Sequence, residues 1–342
     1  MRKLFLLNLV IAISFSIAAQ NKEPYMTKSL SSESVKSTEV QTSGGSISVT
    51  GVNSTAETKV EVYISGNNGK NEISKEEIVK RLEDYDLTVS VSNNKLTAIA
   101  KPKQRNMDWK KGLSISFKVF VLKNSSTDLS TSGGNINLTN LTGEQKFSTS
   151  GGSLNIDNVG GNIDGRTSGG SIHLENSRDD IDLSTSGGSI EASNCDGKLR
   201  LSTSGGSLNL KDLKGDIRAT TSGGSIHGSD VEGELITHTS GGSIHLSDLS
   251  CSLETSTSGG NIDVSIKQLG KYIKISNSAG NIDVTLPNKG LDLDLSASKI
   301  KTGQLTNFSG KVDDEEINGK LNGGGVPVRI DAGSGNISLS LR

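Results

Sequence analysis

TSGGSLNLKDLKGDIRAT, residues 203–220, is one copy of the unit that decides the fold of this chain. Its opening string, Thr-Ser-Gly-Gly-(Ser/Asn)-(Ile/Leu), starts at Thr131, Thr149, Thr167, Thr185, Thr203, Thr221, Thr239 and Thr257, a constant spacing of eighteen residues. A short fixed period means one supersecondary unit stacked on itself, and such a unit buries its apolar face only when its neighbours are in place. The expected fold is therefore all-β: a parallel β-solenoid of eighteen-residue coils.

Numbering 203–220 from one to eighteen, Leu208 and Leu210 at positions 6 and 8 alternate with polar residues, as do Ile217 and Ala219 at positions 15 and 17. This pattern predicts two short strands per coil. A Gly-Gly turn at positions 3 and 4 and an Asn/Asp-Leu-x-Gly corner at positions 10 to 13 separate them, with glycine expected to supply positive φ. Like residues should then stack in columns about 4.8 Å apart. Position 6 (Ile136, Leu154, Ile172, Ile190, Leu208, Ile226, Ile244, Ile262) is the clearest core column. Position 11 fills the corner, so Cys195 there reads as a small buried hydrophobe. Cys251 lies three coils further on, roughly 14 Å away at this pitch, too far for a disulfide. At position 17 Phe147, Leu183 and Leu201 give way to Ala219, Thr237 and Thr255, so the core should thin toward the later coils. The same parity turns the position 1 threonines inward and the serines of positions 18 and 2 outward. The other face carries position 7, which includes His173, His227 and His245.

Outside the regular coils, the first 20 residues have a basic start, an apolar run from Leu4 to Ile17 and small residues before Gln20, the pattern of a secretory signal peptide. No cysteine near its end could carry a lipid, and no stable membrane span is expected after cleavage. Residues 21–40 read as a linker and 41–130 as a strand-rich cap with a helix at 74–84, capped by Ser74 and Glu77 and buried along Ile78, Val79 and Leu82. Regular coils occupy 131–276 and degenerate coils 277–342, after a stretch of twenty residues from Thr257 to Asn277. The formal charge is −2, or −4 once Arg2 and Lys3 leave with the leader (34 − 38). With no basic block and 3% aromatic residues, nucleic acid is excluded as a partner.

The lead-in VFVLKNSSTDLSTSGGNINL at 119–138, the TSGG(S/N)I coils and the closing NGGGVPVRIDAGSGNISL at 322–339 resemble the DUF4097 family of candidate adhesins, from roughly residue 40 onward. The resemblance implies a secreted or envelope-associated bacterial β-solenoid, with some relatives tied to envelope-stress sensing. It differs at Leu122, where relatives often have proline, and it implies no catalytic residues.

Two columns carry chemistry worth weighing. Position 10 runs Asn140, Asn158, Asn176, Asn194, Asp212, Asp230, Asp248. Asn and Asp suit such a turn, yet three stacked carboxylates repel, so Asp212, Asp230 and Asp248 form a candidate weak calcium site, the only cofactor the sequence suggests. His227 and His245 in adjacent coils are a conceivable metal pair lacking a third ligand, and a solvated polar column accounts for them better. Serine, histidine and aspartate abound because the repeat does, and no nucleophile motif stands in a strand-to-helix setting. The leading expectation is a non-enzymatic structural or adhesin-like surface module whose partner is a protein or glycan at the cell surface. Envelope-stress sensing is the alternative. A polysaccharide-acting β-helix enzyme should show inserted acids and aromatic platforms, and ice binding needs outward threonine ranks; the regular coils show none of these.

Overall fold

The computed structural model describes residues 23–67, 73–104 and 112–342. The expected signal peptide at 1–20 lies outside them. No helix among the described residues is long and apolar enough to cross a membrane.

The first strands in the chain are β1 (Met26–Ser29), β2 (Ser37–Thr42), β3 (Ile47–Val52) and β4 (Lys59–Gly66), then helix α1 (Lys75–Leu82), β5 (Tyr85–Ser92), β6 (Lys95–Pro102) and β7 (Leu113–Leu122). The next coils each supply two strands: β8 (Ser126–Thr131), β9 (Ile136–Thr139), β10 (Thr142–Thr149), β11 (Leu154–Asp157), β12 (Gly160–Thr167), β13 (Ile172–Glu175) and β14 (Arg178–Thr185). From there each coil is one bent strand: β15 (Ile190–Thr203), β16 (Leu208–Thr220), β17 (Ile226–Thr239), β18 (Ile244–Thr257) and β19 (Ile262–Asn277). The end is built from β20 (Ile282–Leu286), β21 (Leu291–Ser296), β22 (Lys299–Thr302), β23 (Phe308–Val312), β24 (Glu316–Leu321), β25 (Val326–Asp331) and β26 (Asn336–Leu341).

The coils stack in parallel at a shift of eighteen residues, Leu208 facing Ile226 and Ile217 facing Leu235. Every residue of the position 6 column is buried, as are Leu141, Val159, Cys195, Leu213, Val231 and Leu249 at position 11. Where the position 17 column shrinks, Thr237 and Thr255 remain buried and their hydroxyls bond to each other at 2.6 Å. The narrowing core is thus closed by a polar pair, not left open.

The corner differs from the expected break between two strands. In β15 and β16 the ladder runs from Ile190–Leu208 to Ser193–Lys211, skips position 10 and resumes at Cys195–Leu213. The skipped residue holds φ between 51° and 58° in all seven coils from Asn140 to Asp248, the left-handed region that Asn and Asp tolerate best. From β15 to β18 a single kink therefore re-aims the chain without ending the strand. Within the regular coils glycine supplies positive φ at position 13 alone, from 101° to 115° in Gly143, Gly161, Gly197, Gly215 and Gly233.

Neither glycine of the TSGG turn has positive φ, contrary to expectation. The second is required by close approach instead: a methyl on Gly206 would sit 2.1 Å from the carbonyl oxygen of Gly188. The inward threonine explains that approach. Thr203 Oγ1 donates to the Gly188 carbonyl at 2.8 Å and accepts from the Gly206 amide at 3.3 Å, so each hydroxyl ties its own turn to the turn before. The same staple recurs from Thr149 to Thr257. Where the spacing stretches to twenty, Asn277 takes over, its amide nitrogen donating to Gly260 O at 2.7 Å.

Both termini depart from chain order. Strands β2 and β3 lie between the later coil of β6 and β7 on one side and β8 and β9 on the other. At the far end β25 and β26 are inserted between β19 and β20 on one side and β21 and β22 on the other. Each terminal pair is therefore clasped one layer inside the stack. Residues 21–40, expected as a linker, correspondingly contribute β1 and β2 and bury Leu30 and Val40, because an apolar residue can be held wherever a coil offers a free edge. The outermost edges are shielded. Lys28 Nζ donates to Val89 O on β5 at 3.0 Å, and the amide of Ile300 on β22 donates to Asp314 O at 2.7 Å. Helix α1 covers the first end: Ser74 caps it by accepting from the Glu77 amide, and Ile78 is buried with Leu82 partly so. Val79 is exposed, not buried, since it falls on the outer side of so short a helix.

Candidate functional site

With the apolar side chains consumed by the core, the chemistry available to a ligand is what the outward columns present. On one face positions 7 and 9 flank the inward position 8, and stacking converts them into two polar rails along the solenoid axis. Between them runs a trough of about 710 Å³ spanning six coils. One rail is His173, Glu191, Asn209, His227, His245 and Asp263. The other is Glu175, Ser193, Lys211, Ser229, Ser247 and Ser265. The floor is the backbone of position 8, whose side chains turn into the core; there a methyl on Gly228 would meet Leu246 Cδ2 at 2.7 Å.

The rail residues hold one another. His173 Nδ1 lies 3.0 Å from Glu191 Oε2, and His245 Nδ1 lies 4.0 Å from Asp263 Oδ2. His227 and His245 stack with ring centroids 5.3 Å apart and planes 12° from parallel. Rings arranged face to face do not converge their nitrogens on a common point, so this pair forms a polar ladder and not a chelate. Toward the N-terminus the rail continues as an amide ladder, Asn155 Nδ2 donating to Asn137 Oδ1 at 2.7 Å. His238 is on the opposite face, bonded to Ser256 Oγ at 2.9 Å.

Asp212, Asp230 and Asp248 stack as the C-terminal part of the left-handed column, continuing an Asn ladder in which Asn158 donates to Asn140 at 2.6 Å and Asn194 to Asn176 at 2.5 Å. Their residue type thus has a backbone reason. Among the described residues no group of three or more His, Cys, Asp or Glu is placed to hold a metal ion. Cys195 and Cys251 are free thiols, both buried. Burial pushes the Cys195 thiol up to about 11 and the Cys251 thiol to about 12, which keeps them protonated and poorly nucleophilic. Cys251 stands in register with Gly233, and its burial was not foreseeable from a position held in the other coils by glycine or, once, by Asp179.

Sequence reading found the histidines and the acidic column but missed the trough. Its signal was present in the run of Ser193, Ser229, Ser247 and Ser265 at position 9, small outward residues that matter only once the coils are stacked.

These features define a repetitive all-β solenoid with a dry core and long polar outer faces. Residues 176–340 match the family model described as Toastrack DUF4097. The more N-terminal coils, included in the sequence resemblance, lie outside that match. A solved structure of a candidate cell adhesion protein from Clostridium sporogenes is similar over 94% of this chain and 100% of its own, at 12% identity and a TM-score of 0.21. No curated protein matches the chain.

Proposed function

We propose that the protein is a non-enzymatic interaction module, adhesin-like and exported to the bacterial cell surface or envelope. The carrying observation is the pair of polar rails held on a rigid ladder: a polar side chain stands at positions 7 and 9 of every coil along a trough six coils long. Such a layout suits recognition of an extended partner better than chemistry at a point, because every coil offers hydrogen-bonding groups at the same two positions. The leader-like sequence at 1–20 and the buried, unreactive thiols support the same reading. Protease and antibody accessibility on intact cells tests it. Surface cleavage or labelling of the folded solenoid is expected, and a protein protected until the outer envelope is broken would rule out an adhesive role.

A further inference from the structure

The six-coil trough is the feature least explained by folding alone, since a solenoid needs only outward polarity, not a continuous channel. Its charges are three carboxylates, Glu175, Glu191 and Asp263, against the single ammonium of Lys211. The carboxylates stand toward the two ends and Lys211 toward the middle. A polyanion would meet like charge at both ends, and a polycation would meet it in the centre.

Geometry narrows the occupant further. The backbone groups beneath the trough are already paired in parallel ladders, so no edge is open for an added peptide strand. A peptide laid along the axis would advance about 6.6 Å per pair of residues, out of step with coils about 4.8 Å apart. A β-linked chain of pyranose rings advances by close to one coil spacing per ring. Each ring would then face one rung of hydroxyl, amide or imidazole groups that can donate and accept.

We propose that this trough binds an uncharged, linear, β-linked glycan lying parallel to the solenoid axis, one sugar ring per coil. The inference rests on the adhesin-like reading and names its ligand class. Asn209, Ser229 and Ser247 supply hydrogen bonds near the centre, and the short side chains of Ser229, Ser247 and Ser265 leave room for the rings beside the rail of longer side chains. Individually weak rungs add because each bound ring holds the next at high effective concentration.

The test uses purified protein and cello-, xylo- and chito-oligosaccharides from dimer to octamer, with oligogalacturonate as the anionic comparison, read by calorimetry. Affinity for at least one neutral series should rise several-fold per ring and level off at six, the number of coils lining the trough. Asn209→Ala and Ser247→Trp, both at exposed positions, should weaken binding at least tenfold with circular dichroism unchanged, while Ser222→Trp outside the trough should leave it intact. The proposal is overturned if no neutral series binds, if oligogalacturonate binds more tightly, if affinity does not depend on length, or if Ser222→Trp weakens binding as much as Ser247→Trp. None of these results would alter surface exposure on cells, so failure here is distinct from failure of the adhesin-like reading.

Discussion

Alanine at the second glycine of a TSGG turn should be far more damaging than at the first, although both glycines recur in every regular coil. At Gly206 the added methyl falls 2.1 Å from Gly188 O, whereas at Gly205 it meets Gly187 O at an ordinary 3.5 Å. Relative to an optimal separation of about 3.5 Å, the Gly206 methyl is too close by roughly 1.4 Å, and what it strikes is backbone that no rotamer change can move aside. The two coils must part locally. Overpacking of that kind costs about 1–3 kcal/mol. Separation also breaks the Thr203 staple, two hydrogen bonds at 2.8 and 3.3 Å contributing about 1 kcal/mol each. Gly206→Ala should therefore destabilise by about 3–5 kcal/mol. Gly205→Ala should stay within about 1 kcal/mol of wild type, tending toward stabilisation because the unfolded chain loses freedom. Urea denaturation followed by far-ultraviolet circular dichroism distinguishes the two. Equal midpoints would refute close approach as the reason for the second glycine.

Ile226→Asp puts a carboxylate without a partner into a fully buried column and should abolish cooperative melting, while Ser222→Asp on the exposed face should shift stability by no more than about 0.5 kcal/mol; thermal melts check both. The thiols give a pH signature. A thiol pKa raised in the folded state means the unfolded chain loses its proton first, so stability is full below about pH 9 and falls as pH rises toward 11, and Cys195→Ala with Cys251→Ala should flatten that fall in urea titrations at stepped pH. At the acidic kink, replacing Asp212, Asp230 and Asp248 together with Asn keeps a residue suited to positive φ and removes stacked charge, so the calcium-free melting temperature should rise; a calcium titration at constant ionic strength then reads whether the wild-type column takes up the ion.

The residues that repeat were the legible ones. Ile226 and its column, the inward threonines and the Asn/Asp kink each follow from a local rule applied seven or eight times, so chance agreement is averaged away. Gly206 was read for the wrong reason, since sequence shows that glycine is needed but not whether φ or a neighbour's carbonyl requires it. The clasped ends were illegible for another reason. The early copy at 42–49 resembles a coil, yet nothing in its residues says that 113–122 will pair on its outer side, because parallel pairing is non-local and β7 could in principle extend either edge. Val79 shows the limit of a short helix, in which two turns leave the apolar stripe poorly defined. The trough was hidden because no single coil contains it; it emerges from Ser193, Gly228 and Ser247 only after stacking.

Deletion of one whole coil, 203–220, tests the solenoid register most directly. The cut joins Ser202 to Thr221, and the preceding coil can then pair with 221–238 in the register used throughout, Thr staple and kink included. The shortened protein should keep a native-like circular dichroism spectrum and melt cooperatively, whereas deletion of 212–220 should not, since it sets the TSGG turn at Thr221 against the kink of the coil before and breaks the stack at that junction. A folded, cooperative nine-residue deletion, or an unfolded eighteen-residue one, would contradict the eighteen-residue coil as the unit of this structure.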